Sequence, residues 1–193
     1  LFRSAVFSGG DIMKGLTAFM KKELLEAVRS YKLVIILIVF AALGFMNPIS
    51  ARYLPELMKT FLPEGVHMEL PQPVVMDSWL QFFKNTVQIG LIAFLILCSS
   101  SMANEIGRGV LIPLLAKGLP RNSVIAAKFI SMTLLWTLAL GCSFFITFTY
   151  NFMFWSTSWI PYLFLITIGV WLFGLMLIAA LILGGVGKGT VSA

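Results

Sequence analysis

The 193-residue sequence is 59% hydrophobic and 11% charged, whereas a soluble domain carries about a quarter charged residues and slightly under half apolar ones. Its net charge of +6 does not indicate nucleic-acid binding, because the lysines and arginines flank apolar segments and form no basic run among exposed aromatic residues. The composition excludes an ordinary soluble domain and indicates an integral membrane protein.

Residues 1–12 are expected to lie outside the native protein. Ser8-Gly9-Gly10-Asp11-Ile12 directly precedes Met13, and its Gly-Gly-Asp can be encoded by a bacterial ribosome-binding sequence at about the usual distance from a start codon. We therefore expect a translated leader, with the native chain starting at Met13.

An amphipathic helix is predicted over 13–32. Its apolar residues recur at three- and four-residue spacing, and they are Leu16, Met20, Leu24, Ala27, Val28 and Tyr31. Charged side chains lie largely off this stripe. A basic amphipathic helix that leads directly into a span should lie in the membrane interface. The alternative is a solvated helix packed on a partner.

Three long stretches contain no charged residue. They are 33–51 (19 residues), 85–104 (20 residues) and 129–187 (59 residues). A spanning helix needs about 20 predominantly apolar residues, because the hydrocarbon core is about 30 Å thick. The first two stretches hold one span each, and the third fits two spans joined by a turn. The predicted fold class is an all-α membrane protein with four transmembrane helices.

Within a transmembrane domain over 33–187, the spans are predicted at about 33–47, 87–103, 124–150 and 159–183. The first two are joined by a loop over 48–84 that holds five of the eight prolines, with 54–61 as a candidate interfacial helix. A segment over 104–123 links the second and third spans, a turn over 151–158 links the last two, and 188–193 forms a tail.

The basic residues set the predicted orientation. Ten lysines and arginines lie in the N-terminal segment from Met13, in 104–128 and in the tail, whereas the 48–84 loop holds three and the 151–158 turn none. The positive-inside rule therefore places both termini in the cytoplasm and the 48–84 loop outside. An aromatic belt is predicted on that outer side from Trp79, Tyr150, Trp155, Trp159 and Tyr162.

The spans offer little for catalysis. No Asp, Glu, Lys, Arg or His side chain lies at depth, and Lys128 is close enough to a span end to reach the headgroups, which argues against an intramembrane enzyme. His67 stands alone in its loop, and Cys98 and Cys142 lie within spans, so no metal or other cofactor is predicted. The string 184–190 ends like some phosphate-binding loops but closes a spanning helix, so no nucleotide site is predicted.

The 105–121 segment can form a short helix with one apolar face. Val110, Leu111, Leu114 and Leu115 share that face, and Gly118 is a plausible C-terminal cap. Such a helix with flanking charges suits docking into a groove of a partner protein. The alternative is a plain loop that links two spans.

Two segments resemble ABC-2 type transporter permeases. The 13–33 segment resembles the family's opening, in which a K-E-x-x-E-x-x-R elbow helix precedes the first span, and this motif is carried here by Lys22, Glu23, Glu26 and Arg29. The 105–121 segment resembles the family's pattern between spans two and three. Its matching residues are Glu105, Arg108, Gly109, Leu111, Leu114, Leu115 and Arg121. Lys128 also matches, whereas Val110 replaces the usual threonine.

The resemblance implies a permease subunit in a bacterial inner membrane. The 105–121 segment would be the coupling helix that contacts a separate ATPase subunit, so the chain itself would not be an enzyme. A second permease copy would complete the translocation path. The family normally has six spans, so the chain is expected to be incomplete at its C-terminus. The alternative is a small multi-pass membrane protein, an immunity or assembly factor, with no transport activity of its own.

Overall fold

The computed structural model describes the backbone of residues 9–61, 72–107 and 121–191. All regular structure in these ranges is helical, with no strand. The elements are α1 (Gly9–Arg29), α2 (Lys32–Phe61), α3 (Val75–Asn85), a π-helical turn (Thr86–Gly90), α4 (Leu91–Gly107), α5 (Arg121–Trp155) and α6 (Leu163–Val191). The prediction of an all-α fold is confirmed.

Within the described ranges, four helical stretches are long and apolar enough to cross a membrane. They are Lys32–Leu57, Val75–Ser100, Ser123–Trp155 and Leu163–Gly185. The shortest has 23 residues, which at 1.5 Å per residue cover about 35 Å, more than the hydrocarbon core requires. The second stretch is built from α3, the π-helical turn and α4 joined end to end. The prediction of four transmembrane helices is confirmed.

Two helices extend well into the predicted 48–84 loop. Helix α2 continues to Phe61 through Pro48 and Pro55, so residues 54–61 belong to α2 and do not form a separate interfacial helix. Helix α3 begins at Val75, twelve residues before the predicted start of the second span. Proline is tolerated inside spanning helices where neighbouring side chains satisfy the backbone groups that it leaves unpaired.

The contact between α2 and α5 shows how Pro48 is accommodated. Proline has no N–H, so the carbonyl of Gly44, four residues earlier, loses its partner within the helix. Thr147 Oγ1 donates a hydrogen bond to that Gly44 oxygen over 3.1 Å. A Cβ on Gly44 would lie 2.9 Å from the Ser143 carbonyl oxygen, so glycine permits this close approach of the two helices.

The chain forms two compact units. The first contains the described parts of 1–34, 95–135 and 175–193, and the second contains those of 35–94 and 136–174. Helices α2, α4, α5 and α6 each contribute residues to both units. The core of the first unit includes Ala27 and Ala127, both buried.

The second unit is built around an aromatic core of Phe40, Phe94 and Trp136. The Trp136 ring lies 5.7 Å from the Phe40 ring and 5.4 Å from the Phe94 ring, centroid to centroid, with edge-on geometry. Trp136 is fully buried, and its Nε1 donates to the Trp171 carbonyl oxygen over 3.2 Å. Trp171 Nε1 in turn donates to Thr137 Oγ1 over 2.9 Å, so α5 and α6 are joined by two indole hydrogen bonds.

Trp79 does not belong to the predicted interfacial aromatic belt. Its side chain is fully buried, and its Nε1 donates to the Ser158 carbonyl oxygen over 2.8 Å. A buried indole N–H needs such a partner, and the segment between α5 and α6 supplies it. Trp159 and Tyr162 are 67% and 77% exposed, as side chains of an interfacial belt would be.

Candidate functional site

Helix α1 packs within the first unit through a face that holds both apolar and charged side chains. Ala27 is buried, and the Glu23 side chain on the same face is only 10% exposed. The predicted apolar stripe coincides with this face only in part, because Val28 and Tyr31 at its C-terminal end are 50% and 71% exposed. Glu23 therefore lies at a position of this face where the helical periodicity predicts an apolar residue.

Glu23 forms an ion pair with Lys128 of α5. The Glu23 Oε2 and Lys128 Nζ atoms lie 3.8 Å apart, and the two side chains are only 10% and 8% exposed. Lys22 Nζ lies 3.6 Å from Glu23 Oε1 and 3.4 Å from Glu26 Oε2. Lys128 was expected to extend to the headgroups, but a buried ammonium group needs a counter-charge, and Glu23 provides one inside the protein.

The four residues of the predicted elbow motif are thus brought together on α1. Lys22, Glu23 and Glu26 take part in the ion pairs, and Arg29 is exposed in the last turn, where a positive charge opposes the negative end of the helix dipole. The motif joins α1 to the first part of α5 through the buried Glu23–Lys128 pair.

The predicted coupling segment lies largely outside the described residues. Glu105 belongs to α4, and Arg121 is the first residue of α5, although only their backbone is described. The other predicted contact residues fall outside the described ranges, and they are Arg108, Gly109, Leu111, Leu114 and Leu115. The coupling helix therefore stays a prediction.

Part of the exposed surface of α1 is apolar and carries a shallow groove of about 380 Å³. Its lining residues are Thr17, Met20, Lys21, Leu24, Leu25 and Val28. Leu25 and Val28 are about half exposed. An apolar surface edged by a lysine is what a helix in the membrane interface requires, and that location of α1 stays a prediction.

Sequence reasoning missed a group of uncharged polar residues in the second unit. We call it the polar cluster, and its members are Asn47, Ser78, Asn85, Thr86, Ser143, Thr147 and Asn151. All are fully buried except Asn85, which is partly buried. Asn85 Nδ2 donates to Asn47 Oδ1 over 2.6 Å, and Ser78 Oγ donates to Asn151 Oδ1 over 2.7 Å.

One signal for this cluster was present in the sequence. Ser143, Thr147 and Asn151 recur every four residues on α5 and therefore share one face of the helix. These side chains carry no charge, so they do not interrupt the charge-free stretches that mark the spans. In the part of the chain that the structure describes, no three histidine, cysteine or acidic side chains are grouped so that they could hold a metal ion.

Four apolar spanning helices with a buried ion pair and a buried polar cluster define a multi-pass helical membrane protein. The chain is similar to the uncharacterized transmembrane protein YxlG of Bacillus subtilis (strain 168), with 30% identity over 123 residues. The match covers 61% of this chain and 46% of YxlG, so the chain spans less than half of that relative. No protein-family model and no solved structure matches the chain.

Proposed function

We propose that the chain is the permease subunit of an ABC-2 type transporter in a bacterial inner membrane. It would form a translocation path with a second permease copy and would be driven by a separate ATPase subunit. The observation that carries this proposal is the Glu23–Lys128 ion pair. It links the elbow motif on α1 to a lysine that follows the predicted coupling segment, and both sequence motifs resemble that family.

In this proposal, movement of the ATPase subunits reaches α1 through the start of α5. Arg121, the last residue of the coupling pattern, is also the first residue of α5. Lys128 lies seven residues further along, a rise of about 10 Å. ATP-driven closure of two ATPase subunits would push on the coupling segment and move the start of α5, and the ion pair would carry that movement to α1. The spans would then tilt and open a path between the two permease copies.

The docking face can be tested by substitution. We expect Leu114→Asp and Leu115→Asp each to abolish co-purification of a nucleotide-binding subunit, because a carboxylate in an apolar groove loses its hydration without gaining a partner. The measurement is affinity purification of the tagged chain from native membranes, with detection of bound ATPase subunits.

Leu114→Met is the matched control, since it keeps an apolar side chain of similar volume and should retain the partner. Unchanged co-purification with both aspartate variants would contradict the docking face. If the unsubstituted chain brings down no ATPase at all, the permease role itself is contradicted.

The proposed orientation gives a second test. We expect Lys117→Cys and Lys59→Cys to be labelled from opposite sides of the membrane, because the positive-inside rule retains the more basic connection in the cytoplasm. Cys98→Ala and Cys142→Ala remove the native thiols from the background. A membrane-impermeant maleimide, applied to intact cells and to inverted vesicles, provides the measurement. Labelling of both positions from one side would refute this topology.

A second candidate function has one observation in its favour. Helix α6 exposes many large apolar side chains, among them Phe164, Leu165 and Leu183, and a Cβ added at Gly169 or Gly184 would meet nothing within 4 Å. Small residues on an exposed helix allow close packing with another spanning helix. A protein that acts by such contacts alone, as an immunity or assembly factor, would bind a membrane partner without any ATPase.

A further inference from the structure

Helix α1 presents three different faces in the structure. Glu23 and Ala27 face the first unit and are almost fully buried. Lys22 and Glu26 pair with each other on a second, charged face. A third face carries the shallow groove, which we call the α1 groove, and its residues are Thr17, Met20, Lys21, Leu24, Leu25 and Val28. At about 100° per residue, the three faces lie about 100–150° apart around the helix axis.

The α1 groove extends close to the membrane. Helix α1 ends at Arg29 and the first spanning stretch begins at Lys32, so the connection between these two residues covers at most about 11 Å. Val28, at one end of the groove, lies four residues before the span. Val34, in the first turn of the span, is 42% exposed. The groove therefore lies beside the bilayer surface, within reach of lipid headgroups.

One edge of the α1 groove is basic. Lys21, Leu25 and Arg29 follow one another at four-residue spacing and share one side of the helix. The side chains of Lys21 and Arg29 are exposed, and neither forms an ion pair with any residue that the structure describes. Glu23 and Glu26 instead pair with lysines on the other two faces. None of the residues that line the groove carries a carboxylate, so this edge attracts anions.

The occupant that fits this surface is an amphiphile with an anionic headgroup. Leu25 and Val28 are about half exposed, and an acyl chain that covers them removes apolar surface from water. A phosphate group at the basic edge would neutralise the charges of Lys21 and Arg29 through charge-assisted hydrogen bonds. A lipid with a net negative charge does so without bringing a cation of its own, whereas phosphatidylcholine carries a choline group beside its phosphate. Basic residues next to a span attract anionic lipids for the same reason.

We propose that the α1 groove binds an anionic phospholipid of the membrane, such as phosphatidylglycerol. One acyl chain lies against Leu24, Leu25 and Val28. The phosphate group lies between the Lys21 ammonium and the Arg29 guanidinium groups, which are about two turns apart along the helix. The bound lipid holds α1 at the bilayer surface. This site belongs to a single copy of the chain and does not depend on an ATPase partner.

A fluorescent label in the groove tests this proposal. Val28→Cys is made with Cys98→Ala and Cys142→Ala in the full chain, labelled with bimane and reconstituted into phosphatidylcholine vesicles. Phosphatidylglycerol or phosphatidylcholine with a nitroxide on its acyl chain then replaces part of the host lipid, and the nitroxide quenches bimane only at close approach. The dependence of quenching on mole fraction gives the binding constant of phosphatidylglycerol relative to phosphatidylcholine. If the label at position 28 disturbs the size-exclusion profile, Leu25→Cys takes its place.

We expect phosphatidylglycerol to bind about tenfold more tightly than phosphatidylcholine. Lys21→Gln and Arg29→Gln should each lower this preference about fivefold, the contribution of one basic residue near an anionic lipid surface. Lys22→Gln is the matched control, because it removes the same charge one residue away from Lys21. Lys22 faces away from the groove and is already paired with Glu26 over 3.4 Å, so the preference should change less than about twofold.

Three results would overturn the proposal. Equal binding of the two lipids would show that the groove does not recognise the headgroup. Equal losses in Lys21→Gln and Lys22→Gln would show that anionic lipids are attracted by the overall charge of α1 and not by the groove. Absence of quenching by either lipid would show that protein, for example a second copy of the chain, covers the groove instead. Size-exclusion profiles establish that each variant is folded.

Discussion

Lys128→Met is expected to lower the free energy of unfolding by about 3–5 kcal/mol, the range for removing one partner of a buried ion pair. The methionine keeps most of the volume of the lysine stem but leaves the Glu23 carboxylate, which is only 10% exposed, without its buried counter-charge. Lys22 Nζ remains 3.6 Å from Glu23, so the loss should fall near the lower end of this range. Equilibrium unfolding of the purified protein in detergent, with a denaturing detergent as titrant, measures it.

Glu23→Gln combined with Lys128→Met should recover much of that loss, because no unpaired charge is then left inside the protein. Glu26→Gln is the matched control on α1. The Glu26 side chain is 43% exposed and pairs with Lys22, four residues earlier, and an exposed pair of this kind contributes at most about 1 kcal/mol. A Lys128→Met variant as stable as Glu26→Gln would show that the buried pair does not hold α1 to α5.

Gly174→Ala is expected to lower the free energy of unfolding by about 3 kcal/mol, the upper end of the usual range for overpacking. A Cβ at this position would clash with Cε2 and Nε1 of the Trp136 indole ring. The indole ring cannot easily yield, because the Phe40 and Phe94 rings pack against it and its N–H is bound to the Trp171 carbonyl oxygen.

Gly169→Ala provides the control on the same helix. A Cβ there meets nothing within 4 Å, and alanine is favoured over glycine inside a helix by about 0.5–1 kcal/mol. This variant should be as stable as the original protein or slightly more stable. Unfolding followed by tryptophan fluorescence compares the two variants, and equal midpoints would contradict the close contact between Gly174 and Trp136.

The number and type of the spans could be predicted from the sequence, because a charged side chain at mid-depth is costly and the charge-free stretches record that constraint. The ends of the spans could not. Proline breaks helices in water, so the sequence predicts a loop that begins at Pro48. In the structure Thr147, 103 residues away from Gly44, supplies the hydrogen bond that lets α2 continue. No local pattern contains that information.

The same limit applies to the candidate site. The elbow motif was found by its resemblance to a family, but the periodicity of α1 did not show that Glu23 faces the protein, because its partner Lys128 lies on a distant helix. The polar cluster was missed for another reason. Asparagine, serine and threonine interrupt an apolar stretch only weakly, and only their four-residue spacing on α5 indicated a shared face. The coupling segment rests on the resemblance alone.

The side-chain chemistry of the polar cluster has a consequence for how it responds to its surroundings. Its seven members are all asparagine, serine or threonine, none of which gains or loses a proton between about pH 4 and pH 10. The hydrogen bonds within the cluster should therefore be the same in acidic and in alkaline buffer. Because these residues carry no net charge, they also contribute no gating charge, and a change in membrane potential would do no work on them.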